Sequence, residues 1–171
     1  MKGFKKLLWI FLGLITAFFL FLIWYQYRYS MDVIDPFEVN APNLEIKLLV
    51  ATQGSAFKDS ITNAVVDYYR PNSIYIKVID VSGLPEIDPA DFNAILVIHT
   101  WENWKPPTEV KSFIERTKND SNKIVVLTTS GEGSYKMEDV DAMTGESIIE
   151  EVPVFTGKII ERLNPLLNFK D

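Results

Sequence analysis

The chain has 171 residues, no cysteine, a single histidine and a formal net charge of −6. Without cysteine there can be no disulfide, thiolate nucleophile, Cys-ligated zinc or iron–sulfur cluster, and His99 alone cannot build a histidine metal site, so no metal is expected. No G-x-S-x-G elbow accompanies that histidine, so no serine-hydrolase pattern is present and no catalytic residue is assigned.

Residues 1–6 form a short basic N-terminus with Lys2, Lys5 and Lys6. Leu7 to Tyr25 then carries no charged residue. As a helix rising about 1.5 Å per residue it spans about 28 Å, close to the thickness of a bilayer core. The run is too long for a signal-peptide apolar region and ends in Trp24, Tyr25, Tyr27 and Tyr29, an aromatic belt rather than a small-residue cleavage site. We read residues 7–25 as an uncleaved transmembrane signal anchor. The lysines before it, against Arg28 alone close after it, place the N-terminus in the cytoplasm and the rest of the chain outside. All 23 acidic residues lie beyond the span, against 14 of the 17 Lys and Arg, leaving that part at −9. Such a surface disfavours nucleic acid and anionic lipid as partners.

Residues 26–43 contain Pro36 and Pro42 and no clean period, and are expected to be a linker. One domain of ordinary size is expected over 44–171. Leu44 to Val50 reads as a strand, and Phe57, Ile61, Val65 and Tyr68 fall on one face of a following helix. Between them lies a small polar loop, Thr52-Gln53-Gly54-Ser55. Gly54 can adopt backbone angles closed to other residues and Ser55 can cap the helix, so amides at this corner can hold an anion. Arg70-Pro71-Asn72 ends the helix, and Ser73 to Val81 is a second strand, with Lys77 suggesting a sheet edge.

Phe92 to Thr100 is the most apolar strand, as expected of one covered on both faces. Pro106 and Pro107 open a helix with Val110, Phe113 and Ile114 inward. Lys123 to Thr129 is a fourth strand, and residues 139–144 a candidate fifth, reached by too little chain for a crossover helix. A last helix, from about Pro153 to Leu163, turns Phe155, Ile159, Ile160 and Leu163 inward and is ended by Pro165. Strands alternating with helices imply an α/β three-layer sandwich around a parallel sheet. Its ligand site is expected beyond the strand carboxyl ends.

The strand-loop-helix at Leu44–Tyr69, the Phe92–Val97 strand followed by Thr100-Trp101, and the Leu127-Thr128-Thr129-Ser130-Gly131 strand end together resemble the flavodoxin-like family. The resemblance implies strand order 2-1-3-4-5, with Ser73–Val81 at one edge. It also implies an FMN site with phosphate at Thr52, Gln53, Gly54 and Ser55, and a ring flanked by Thr100, Trp101 and Trp104 and by Ser130, Gly131, Glu132 and Gly133. Aligned on Gly54, the family's loop pattern puts Ala51, Gln53 and Ala56 at its hydroxyl positions. Asp141 to Ser147 is similar to the D-x-x-[ST]-G-A-[ST] motif on which flavin transferases attach FMN, with Glu146 in place of Ala and Ser147 as acceptor. Two functions stay open. One is a membrane-anchored FMN-dependent electron-transfer or reductase component working with a redox partner. The other is a cofactor-free interaction or assembly module of a membrane complex. Whether the chain is an enzyme is left undecided.

Overall fold

The computed structural model describes residues 2–29, 31–102 and 104–169; Met1, Ser30, Asn103, Lys170 and Asp171 lie outside the described residues. The chain divides into two compact units, Met1–Met31 and Asp32–Asp171. The first is a single helix, α1 (Lys2–Tyr29), whose stretch Gly3–Tyr25 is long and apolar enough to cross a membrane, with a mean hydropathy of 2.6. Within it the Thr16 hydroxyl donates to the Leu12 carbonyl at 2.9 Å. The helix runs four residues past Tyr25, into what the sequence suggested was linker.

The second unit is built on a six-stranded sheet: β1 (Phe37–Val39), β2 (Ile46–Thr52), β3 (Ile74–Asp80), β4 (Ala94–Thr100), β5 (Ile124–Thr129) and β6 (Asp141–Gly145). The spatial order is β1-β3-β2-β4-β5-β6, and the five strands after β1 are parallel. They keep the expected 2-1-3-4-5 order. β1 corrects two expectations, because it comes from the supposed linker and pairs antiparallel with β3, so β3 is not the edge. Asn40 fixes this addition: with φ at 66° it turns the chain, and its side-chain amide donates to the carbonyls of Arg70, Asn72 and Ile74 at 3.2, 3.1 and 2.8 Å. Lys77 faces Glu38 across the new pair, so the charge that suggested an edge sits opposite an acidic neighbour.

Residue alternation divides the core into two layers. Leu48, Val50, Leu96, Ile98 and Leu127 face α2 (Ala56–Tyr69) and α4 (Val152–Leu166), while Leu49, Ala51, Ile95, Val97 and Val126 face α3 (Thr108–Arg116). Central strands are thus apolar on both faces, which is why they read as unbroken hydrophobic runs. The β3–β4 crossover uses two 3-10 turns, Val81–Glu86 and Pro89–Asp91, in place of a full helix. Arg116 ties the first to α3 by donating to the carbonyls of Leu84 and Ile87, both at 2.8 Å. The chain between β5 and β6 has no helix, as its length requires. Pro165 does not end α4 as expected; it sits in the last turn, which closes through the Leu167 amide on the Leu163 carbonyl.

His99 lies in the α3-side layer with no exposure. Its Nε2 is 3.1 Å from the Thr128 hydroxyl, and its Nδ1 is buried without a hydrogen-bond partner. Burial pushes its pKa down to about 4, against the opposing pull of the Thr100 backbone, and the charge of Lys58 acts with burial. Folded His99 is therefore neutral while an unfolded chain protonates near pH 6.5. The stability this neutrality contributes is complete above pH 6.5 and falls as the pH drops towards 4. Urea unfolding at pH 7 and 4.5 should show the wild-type chain losing about 2–3 kcal/mol relative to His99→Gln between the two pH values. An unchanged difference would mean that His99 is solvated or charged in the fold.

Candidate functional site

The carboxyl ends of β2, β4 and β5 bring together the three loops that the sequence singled out. In the first, the residues are already engaged. Thr52 is buried and its hydroxyl donates to the Gln53 carbonyl at 3.1 Å. Gln53 extends the β2–β4 pairing, its amide donating to the Ile98 carbonyl at 3.3 Å and its Oε1 accepting from the Thr100 amide at 2.8 Å. Ser55 caps α2 as expected, accepting from the Lys58 amide at 3.3 Å.

Gly54 is the decisive position. Its amide donates to the Asp32 carbonyl at 2.6 Å and its carbonyl accepts from the Asp32 amide at 3.2 Å, forming an isolated antiparallel bridge. A Cβ at position 54 would lie 2.8 Å from the Asp32 oxygen. Glycine is needed here for close approach of two backbones and not, as the sequence suggested, for a left-handed conformation, since Gly133 is the described glycine with positive φ. The segment carrying Asp32 is pinned again two residues on, where the Ile34 amide donates to the Asp80 carboxylate at 3.3 Å. Ile34 packs on the α2–α4 side of the core. The amide that was expected to meet a phosphate is thus held by the chain's own backbone.

Sequence reasoning missed Lys58. At the start of α2 it reads as a solvated surface residue, yet its side chain is fully buried, with Nζ 3.3 Å from the Ser55 hydroxyl. Burial lowers its pKa to about 8, against the opposing pull of Glu102 and Asp59. A lysine in the first turn also opposes the helix dipole, and that local conflict was the available signal.

In the second loop, the Thr100 and Thr129 hydroxyls pair at 2.8 Å and the Trp101 amide donates to the Thr129 carbonyl at 2.8 Å. The Trp101 ring is stacked on Tyr135, with centroids 4.7 Å apart and planes at 17°. Its indole N–H is buried without a partner. Glu102 and Lys105 close a tight turn by exchanging backbone hydrogen bonds at 3.0 and 3.2 Å. That turn puts Trp104 at φ 61° and leaves it 79% exposed. So the two tryptophans, both expected beside the ring, divide into one stacked within the chain and one facing solvent.

In the third loop, Ser130 is buried with its hydroxyl unpartnered, and its amide donates to the Gly145 carbonyl at 3.2 Å. Gly133 has φ +59°, and an added Cβ would lie 3.0 Å from the Glu146 nitrogen. Gly131 and Glu132 are exposed. Asp141 to Gly145 is strand β6, with the Thr144 hydroxyl spent on the carbonyls of Gly133 and Tyr135; Ser147 follows as an exposed residue. Gly145 is required by packing, because a Cβ there would come within 2.2 Å of the Phe155 ring. Among the described residues, no group of three His, Cys, Asp or Glu could hold a metal ion.

An FMN needs free loop amides for its phosphate and an open aromatic face for its ring. Here Asp32 takes the Gly54 amide and Tyr135 takes one face of Trp101, so these two groups would have to be released before either could meet the cofactor.

No family model and no curated protein matches the chain. Among solved structures, the Flv1 flavodiiron core from Synechocystis sp. PCC6803 is similar at 9% identity with a TM-score of 0.52, over 72% of this chain and 36% of that one. A flavodoxin from the domain Archaea is similar at 11% identity and TM-score 0.48, over 71% of this chain and 99% of that one. The general stress protein 14 of Treponema denticola, solved in complex with FMN, is similar at 12% identity and TM-score 0.44, over 71% of this chain and 99% of that one. The likeness is one of fold, and together with the 2-1-3-4-5 parallel order flanked by α2, α3 and α4 it identifies the second unit as a domain of flavodoxin-like fold.

Proposed function

We propose that this chain is a membrane-tethered flavodoxin-like module that works by binding a protein partner, with α1 as its anchor and the domain outside the cytoplasm. The observation that carries this reading is the Asp32–Gly54 bridge, which commits the Gly54 amide, a donor that a phosphate at this loop would need, to the chain's own backbone. To seat FMN the chain would have to break that pair of hydrogen bonds, worth about 1 kcal/mol each, and the Trp101–Tyr135 stack, worth about 0.5–1.5 kcal/mol. About 3 kcal/mol of rearrangement weakens binding roughly a hundredfold. The net charge of −9 beyond the anchor adds long-range repulsion of a phosphate.

A second reading, a flavin-dependent electron-transfer component, has one observation in its favour. Lys58 buries an ammonium at the N-terminus of α2, where a phosphate would need one. If Asp32 were displaced, that charge would stand beside the loop.

Titrating FMN into the full chain while following tryptophan fluorescence separates the two readings. The module reading predicts no saturable quenching up to about 100 μM. Saturable quenching below about 10 μM, reduced by Lys58→Met, would establish the flavin reading instead. Lys58→Met also has a stability signature. The cost of burying the charged lysine is fully present below pH 8 and is relieved as the folded chain deprotonates, between about pH 8 and the unfolded value of 10.5. The variant should therefore melt at a higher temperature than wild type at pH 7, with the gap closing by about pH 10. A lower melting temperature at pH 7 would make Lys58 a net structural contributor.

A further inference from the structure

On the α3 side of the sheet, a groove of about 590 Å³ runs between α3 and the chain that connects β5 to β6. Trp101, Pro106, Ile114 and Met137 give it an apolar lining. Ile114 and Met137 belong to the α3-side core layer and Trp101 packs on it, so the groove lies on the opposite face of the sheet from α2.

Three buried polar atoms at this end of the α3 layer have no hydrogen-bond partner among the described residues: His99 Nδ1, Trp101 Nε1 and Ser130 Oγ. His99 pairs with Thr128 across β4 and β5. Trp101 and Ser130 each follow two residues on, so strand alternation turns all three side chains to the same face. His99 and Ser130 are buried almost completely, and Trp101 lines the groove. An indole N–H can only donate. Enclosed and unpaired, it calls for an acceptor from outside the chain.

Charge decides which acceptor. Lys105, Lys111, Lys118 and Lys136 line the groove, against Glu115, Glu138 and Asp139. These are four of the 14 basic residues beyond the apolar span and three of the 23 acidic ones, so the groove stands at +1 in a part of the chain at −9. Lys111 is paired with Glu115 at 3.8 Å and Lys118 with Asp139 at 3.4 Å. Lys105 and Lys136 are exposed and have no ion pair among the described residues, and Glu138 offsets one of them. Thr108, also in the lining, opens α3 without a side-chain cap, so first-turn amides add donors, while Glu109 does not line the groove. A single negative charge balances this set. A phosphate, with nearly two, would meet the opposing field of the remaining carboxylates.

We propose that the groove between α3 and the β5–β6 connection binds a small carboxylate carried on an apolar or aromatic body, with Lys105 and Lys136 meeting its charge and the Trp101 indole N–H donating to it. The volume suits such a ligand, and an apolar lining with a few polar donors is what such sites use. The inference goes beyond the module reading and does not depend on it.

The test uses the isotopically labelled full chain in uncharged detergent micelles at pH 7, with 4-fluorobenzoate as probe and 4-fluorobenzyl alcohol and inorganic phosphate as comparisons. Fluorobenzoate should shift the Trp101 indole N–H resonance saturably, with half-saturation below about 5 mM, and leave that of Trp104 unchanged. Neither comparison should do so. Lys105→Gln together with Lys136→Gln, at exposed positions, should raise the half-saturating concentration by about fivefold or more. Trp101→Phe keeps a ring to stack on Tyr135 and removes the N–H; read from the fluorine signal of the probe, it should weaken binding about as much. No saturable shift up to about 20 mM, an equal response to the alcohol, tighter binding of phosphate, or an affinity unchanged in either variant would each overturn the proposal. FMN binding at the Gly54 loop would count against the module reading and leave this one standing.

Discussion

A parallel sheet gathers all its loops of one kind at its carboxyl end, and the way those loops are closed decides what the fold can hold. In this domain the closure is made by a backbone bridge between Asp32 and Gly54. It is a small interaction, two hydrogen bonds worth about 1 kcal/mol each. Its position gives it weight, because it commits the Gly54 amide and lays the entering chain across the ends of β2 and β3. The neighbouring contacts agree with it. Gln53 is drawn into the β2–β4 pairing, and Ser55 serves both the α2 cap and the Lys58 ammonium.

The second closure follows from chain length. The connection from β5 to β6 is too short for a helix, so it crosses as a loop, and Tyr135 from that loop lies flat on Trp101. Thr144 holds the loop down through two of its carbonyls, and Gly133 allows it to pass close to Glu146. The domain is thereby organised with the Gly54 amide and one face of Trp101 engaged from within. Exposed at that end are Val33, Trp104, Ile148 and Ile149, beside acidic residues such as Asp32 and Glu102.

Much of the fold was legible because burial on two faces leaves a plain mark. β2, β4 and β5 are continuous apolar runs, Ser55 is a recognisable cap, and Pro107 marks the start of α3. β1 left no such mark: it is three residues long, two of them exposed, and it is held by the Asn40 side chain reaching 30 or more residues along the chain. The loops were legible in position but not in their internal contacts. Every loop residue singled out does lie at the strand ends, and at Gly54 a glycine is required by the close approach of Asp32 rather than by its own backbone angles. Asp32 and Tyr135 could not be foreseen, because one acts through its backbone and the other through a partner distant in sequence. Lys58 was hidden by the rule that charged residues face water, and only its conflict with the helix dipole hinted otherwise.

The bridge at Gly54 is the central claim, and its amide reports on it directly. Hydrogen exchange of the isotopically labelled full chain in detergent micelles, read residue by residue by NMR, should find the Gly54 amide protected at least tenfold more than that of Gly131, which lies in an exposed turn. Exchange at Gly54 as fast as at Gly131 would mean that Asp32 does not hold the loop and that the Gly54 amide is open to a ligand.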